Sequence, residues 1–222
     1  MTPFLLLHGG GGPGSVAGFA ALLRAAGHTV IAPVHPGFSG TPNPDALATP
    51  GDLADHHLRM LDGDDVTVVG FSLGGWVAAE LAMRGDERVR RLVIVDGVGF
   101  ALEGHPVADV TALTPDELAA RSFHDPEAFR IAPSPEMAAN VREVVRYGGE
   151  MADPGLRSRL AGIDIPALVV WGESDGVADP VYGRAYADAI PGARFELLAD
   201  AGHMPQLEQP ERLAALITAF AT

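Results

Sequence analysis

The chain contains no cysteine and no lysine. The first absence excludes disulfides, a thiolate nucleophile and cysteine-ligated zinc. The second excludes Schiff-base chemistry, a pyridoxal phosphate linkage and the phosphate-binding lysine of a P-loop. The basic side chains are all arginine, 15 of them against 29 acids, giving a net charge of -14. An excess of acid this large repels phosphate backbones and anionic lipid, so no nucleic acid and no membrane is expected among its partners. Long apolar runs are missing too, and the opening MTPFLLL lacks the basic segment of a secretory leader. A single domain of 222 residues in the cytoplasm is the expectation, with nothing that specifies an oligomeric state.

Short runs of branched apolar residues alternate with longer segments of helical period, as in a parallel sheet covered on both faces by helices. Strands are expected at about 3–7, 29–33, 65–70, 91–95, 167–171 and 194–198. Helices are expected at about 16–26, 52–62, 73–84, 181–190 and 210–220, the first with Ser15 as N-cap and Gly27 as its stop. The alternation fails over 99–163, where prolines and short helical pieces stand without a strand. The expected organisation is therefore a core of 1–98 and 164–222 with a helical lid inserted at 99–163.

The segment HGGGGPGS, His8 to Ser15, fits three kinds of active-site loop. A P-loop needs lysine after its last glycine, and Ser15 stands there. A dinucleotide site needs an acid at the end of the second strand, and VIAPVHPGFSG has none. An oxyanion loop is the remaining reading, and it depends on a nucleophile elsewhere.

GFSLGG supplies one, with Gly70, Ser72 and Gly74 spaced as GxSxG between an apolar strand and a helix. A turn this sharp strains the serine backbone and tolerates nothing bulky two residues away on either side. The serine hydroxyl then stands above the sheet, while the amide of Leu73 opens a helix and faces an oxygen gaining charge. A hydroxyl nucleophile needs a base and an orienting acid. WGESDGVADP offers Asp175 after one later strand and ADAGHMPQLEQP offers His203 after the last, each at the strand end where Ser72 sits.

In LLLHGGGGPGS, GFSLGGW, LVVWGESDGVADP and AGHMPQLEQPERLAALITAF, in that order, the chain resembles the α/β-hydrolase-fold serine hydrolases of the esterase, lactonase and C–C hydrolase group. The resemblance covers nearly the whole chain. It implies Ser72 as nucleophile, His203 as general base and then acid, and Asp175 as the carboxylate that fixes the histidine tautomer. It also implies an oxyanion hole formed by Leu73 with Gly10 or Gly11, no cofactor, and a small-molecule substrate. The expected activity is cleavage of a small, largely apolar carboxylic ester through an acyl-enzyme. The same triad would serve C–C bond hydrolysis, perhydrolysis or cyanohydrin cleavage, and a non-catalytic ligand-binding protein is the reading from a different class. Epoxide hydrolases and haloalkane dehalogenases of this fold resemble it less, because they carry aspartate where Ser72 stands.

Two departures from the family pattern are visible. The chain opens on the strand before the oxyanion loop, so a reduced sheet of about six strands with an exposed edge at TVIAP is expected. His35 occupies a segment where many relatives carry an acid. Asp179 and Asp96 rival Asp175 as the acid, Asp96 because it also ends a strand. His8 is read as fixing its own loop. His56 and His57, adjacent on a helix, point to different faces and make a poor ligand pair, so no metal site is expected. Trp76, one helical turn after Ser72, is expected to pack against the sheet.

Overall fold

The computed structural model describes residues 3–43, 47–129 and 134–222. Six parallel strands form one sheet in the order β2-β1-β3-β4-β5-β6: β1 Pro3–Leu7, β2 Thr29–Ile31, β3 Val66–Phe71, β4 Val89–Val95, β5 Ala167–Gly172 and β6 Arg194–Leu198. Every pairing is parallel, with Leu7 opposite Gly70, Phe71 opposite Val95 and Gly172 opposite Leu198. The C-terminal ends of β1, β3, β4, β5 and β6 therefore lie along one rim, where an open α/β sheet places its ligand crevice.

The central strands are buried on both faces, which is why they read as continuous apolar runs rather than alternating ones. Alternate residues feed two cores. Leu5, Leu7, Val68, Ile94, Val169 and Trp171 pack on one face with α2 (Pro50–Met60), α3 (Leu73–Ala82) and α7 (Pro180–Asp188). Phe4, Leu6, Val69, Val93 and Val170 pack on the other with α1 (Gly14–Ala25) and α9 (Pro210–Phe220). Trp76 is buried in the first core, as expected, and its indole N–H donates to Glu80.

Between β4 and β5 lie α4 (Pro115–Ser122), α5 (Pro135–Gly148) and the single turn α6 (Leu156–Arg159). Each of α4 and α5 starts with proline in its first turn behind a Thr114 or Ser134 side chain that caps a backbone N–H. A further turn, α8 (Pro205–Glu208), precedes α9. Among the described residues, no helix is long and apolar enough to cross a membrane.

The expected strands and helices are all present, with boundaries that move for local reasons. β2 stops at Ile31 instead of 33, since Pro33 has no N–H to offer a ladder; it forms the exposed edge beside β1. α2 begins at Pro50, earlier than expected, because Thr49 and Asp52 form a reciprocal capping box. Ser15 is not the N-cap of α1. The helix starts at Gly14 behind Pro13, and the Ser15 hydroxyl donates instead to the Gly12 carbonyl at 2.7 Å.

Gly74 marks the tightest approach at the rim. A Cβ there would collide with the carbonyls of Leu7 and His8, so the start of α3 sits directly against the end of β1. Backbone atoms cannot swing aside as a side chain can. Gly74→Ala should cost about 2–3 kcal/mol, which for a domain of this size lowers the thermal midpoint by roughly 4–12 °C. Calorimetry of the variant checks this, and an unchanged midpoint would contradict the packing described.

Candidate active site

β3 ends at Phe71, and the next residue, Ser72, holds φ 54° and ψ -119° before α3 begins. Positive φ in a residue with a Cβ is strained, and the neighbours maintain it. A Cβ on Gly70 would strike the Gly74 carbonyl and Ala78. The strand and the helix can meet at this angle only because both flanking residues are glycine.

His203, in the loop after β6, places Nε2 at 2.9 Å from the Ser72 hydroxyl. Its Nδ1 lies 2.8 Å from Oδ2 of Asp175, in the loop after β5. A carboxylate only accepts, so Nδ1 carries the proton and Nε2 is left to receive one from the serine. The other oxygen of Asp175 accepts from the amides of Val177 and Ala178 at 2.8 and 3.0 Å. Asp175 and His203 are buried while Ser72 is partly open.

The rival acids have other partners. Asp179 caps α7 by accepting from the amides of Val181 and Tyr182, and its second oxygen meets His105 at 2.6 Å. Asp96 follows β4 with φ 47° and is completely buried. Its Oδ1 accepts from the Gly172 amide at 2.8 Å. Asp96, Asp175 and His203 bring nitrogen and oxygen atoms within 4.8 Å of one another, the one such cluster among the described residues with the makings of a metal site. Both oxygens of Asp175 and both ring nitrogens of His203 already have partners, as does Oδ1 of Asp96, while Asp96 Oδ2 has none among the described residues.

Two carboxyls this close in a dry interior do not both ionise. Asp175 has the stronger claim to the charge, with two amides and the imidazole N–H to hold it. Burial first, and then the charge of Asp175, push Asp96 well above the ordinary carboxyl range, so Asp96 keeps its proton.

The Ser72 hydroxyl opens onto a cavity of about 130 Å³. Its walls include Val98, Val107, Val141, Val144, Met151 and Val177, with Leu118 and Ser122 from α4 and Met137 from α5. His203 is the one titratable side chain among the described residues that line it. Gly9, Gly10 and Gly11 form the wall beside Ser72. The amides of Gly10, Gly11 and Leu73 have no hydrogen-bond acceptor among the described residues. Gly11 is exposed, whereas Gly10 is partly covered.

Two contributors carried no local signal. Glu208 accepts from the Gly202 amide at 2.6 Å and, through its other oxygen, from the amides of His124 and Asp125 at 2.8 and 3.1 Å. It thereby ties the His203 loop to the chain following α4. Gln206, buried at the cavity wall, has an amide oxygen without a partner among the described residues. Both lie near His203 in sequence, but the contacts that define their roles are tertiary.

The state of Asp96 has a measurable consequence. A group with its pKa raised by folding contributes fully only below its unfolded value, near 3.8, and its contribution falls as pH rises. The wild type should therefore lose stability from this group as pH rises from that point to the raised folded value. Asp96→Asn keeps the acceptor for Gly172 and removes the titration, so its stability advantage over the wild type should grow from pH 4 upward. Denaturant unfolding at several pH values reads this slope, and parallel curves would mean that Asp96 is ionised.

The sequence profile of the Alpha/beta hydrolase family matches residues 4–216. The chain is 28% identical over 96% of its length to the "Dihydrolipoyllysine-residue acetyltransferase component of acetoin cleaving system" of Cupriavidus necator, of which it spans 62%. It is 30% identical over 76% of its length to epoxide hydrolase EphH of Mycobacterium tuberculosis, covering 92% of that protein. Among solved structures, the bromoperoxidase from Bacillus anthracis superposes with a TM-score of 0.79 at 22% identity, over 99% of this chain and 91% of that one. With its six-stranded parallel sheet flanked by helices, the chain belongs to the alpha/beta hydrolase family.

Proposed function

We propose that the protein is a cofactor-free serine hydrolase of small, uncharged, largely apolar carboxylic esters. The observation that carries this reading is the unbroken hydrogen-bonded line from Asp175 through His203 to Ser72 at the mouth of an apolar cavity. Ser72 attacks the ester carbonyl as His203 takes its proton, and Asp175 holds the imidazolium that forms. The free amides of Leu73 and Gly10 receive the oxygen as it gains charge. His203 then returns its proton to the leaving alcohol, and water releases the acyl group by the same steps in reverse order. Epoxide opening in this fold uses an aspartate where this chain has Ser72, and a hydroxyl nucleophile supports acyl chemistry instead. The segment 99–163 acts as the lid, supplying Val107, Leu118, Met137 and Val144 to the cavity.

A fluorophosphonate probe tests the nucleophile. Mass spectrometry should find a single adduct on Ser72, absent from Ser72→Ala, and ester turnover in that variant should fall by about 10⁴-fold or more. A folded wild type without adduct or turnover would overturn the reading in favour of a ligand-binding protein.

Cavity volume sets the size of substrate. An apolar cavity of 130 Å³ holds a group of about six heavy atoms, judged by the benzene-sized ligands that cavities near this volume accept. Across p-nitrophenyl esters, kcat/KM should therefore peak at acetate to butyrate and fall by about tenfold or more at octanoate. A profile that rises steadily with chain length would contradict an acyl site of this size.

A further inference from the structure

Three histidines that take no part in the line from Asp175 to Ser72 are buried together behind the glycine loop: His8 at the end of β1, His35 after β2 and His57 on α2. With all three rings neutral, their contacts permit one arrangement of protons. His8 Nδ1 is 2.9 Å from the Gly9 carbonyl, which can only accept, so Nδ1 carries the hydrogen and Nε2 is bare. That bare Nε2 receives the backbone N–H of His35 at 3.0 Å. His35 Nε2 lies 2.9 Å from the His8 carbonyl and must likewise be the donor, leaving its Nδ1 to accept. Nε2 of His57 supplies that proton at 2.7 Å. Burial pushes His8 down to about 4 and His57 down to about 3, and holds His35 well below its ordinary value, so all three rings are neutral, as this chain of bonds requires.

The two donors at the end of this relay grip successive carbonyls, those of His8 and Gly9. A peptide group is planar and trans, so the direction of a carbonyl sets the opposite direction of the N–H in the same unit. Holding the Gly9 carbonyl therefore aims the Gly10 amide, which lines the cavity beside Ser72 and has no acceptor of its own among the described residues. The Gly12 amide also donates to the Gly9 carbonyl, at 3.0 Å, and the histidines add to this restraint on the loop. Gly9 to Gly12 are four consecutive glycines, the residue with the most backbone freedom to lose.

The far end of the relay shows what it costs. His57 Nδ1 is buried with no partner among the described residues, an acceptor left without a donor.

We propose that His57 and His35 are positioning residues for the oxyanion hole, acting through His8 to hold the Gly9 carbonyl so that the Gly10 amide points at the oxygen created by attack of Ser72. This rests on the serine-hydrolase reading above. It accounts for a histidine at position 35 and selects Gly10 over Gly11 as the donor of the first loop.

The test compares His57→Leu, which removes the donor to His35, with His57→Gln, whose amide N–H reaches a similar place. With p-nitrophenyl butyrate, His57→Leu should lower kcat by about tenfold with KM within twofold, a fraction of the loss seen when an oxyanion donor is deleted outright. A trifluoromethyl ketone, which forms an oxyanion on Ser72, should lose affinity by the same factor, and 1-butanol, an uncharged ligand with no carbonyl or carboxylate oxygen, should not. His57→Gln should recover most of the loss. Equal kcat in wild type and His57→Leu, or losses of trifluoromethyl ketone and 1-butanol binding in parallel, would overturn the proposal. Nitrogen NMR of the wild type gives a readout independent of whether a variant folds: hydrogen on Nδ1 of His8 and on Nε2 of His35 and His57 is required, and any other set of tautomers refutes the relay. A wild type that neither labels at Ser72 nor turns over ester would instead remove the hydrolase reading on which the relay depends.

Discussion

The site is organised around one backbone turn, at Ser72, that an L-residue avoids. It persists because strand β3 and helix α3 leave the chain no other path: Gly70 touches the Gly74 carbonyl, and Gly74 in turn sits against the carbonyls of Leu7 and His8. Strain in the turn is held by packing in the two cores on either side of the sheet. The result is a hydroxyl fixed above the rim, with a helix amide next to it and the β1 loop pressed close.

Low dielectric around this turn decides the protonation of everything nearby. Asp175 keeps a charge because two backbone amides and the His203 N–H surround it, and Asp96, lacking that support, keeps a proton. The same burial holds His8, His35 and His57 neutral, which gives each ring one donor and one acceptor nitrogen. Charge is thus concentrated where an imidazolium would form, and the loop behind it is stiffened by uncharged bonds.

Much of this was legible in sequence, for reasons of locality. A GxSxG turn depends on residues within two positions of the serine, and the strand before it and helix after it announce themselves by composition. Asp175 and His203 could be read as candidates because loops at one end of parallel strands converge, so chain order predicts proximity. The N-terminus of α1 was misread because the helix starts at Gly14, which puts Ser15 inside its first turn, where the hydroxyl donates to the Gly12 carbonyl. The ring of His35 meets that of His57 across 22 positions of sequence, and its main-chain amide meets His8 across 27, separations at which no periodicity carries information.

The sequence by itself determined the fold class, the elbow, and the chemical types present: no thiol, no lysine amine, an acid and a histidine placed after the last strands. Those are consequences of local pattern and of which atoms exist. Tertiary structure alone decided which of Asp96, Asp175 and Asp179 meets His203, which protons the buried groups hold, and how large a cavity the walls leave. Each of these is set by distances of a few ångströms between residues far apart in the chain, and by the exclusion of water once they are packed together.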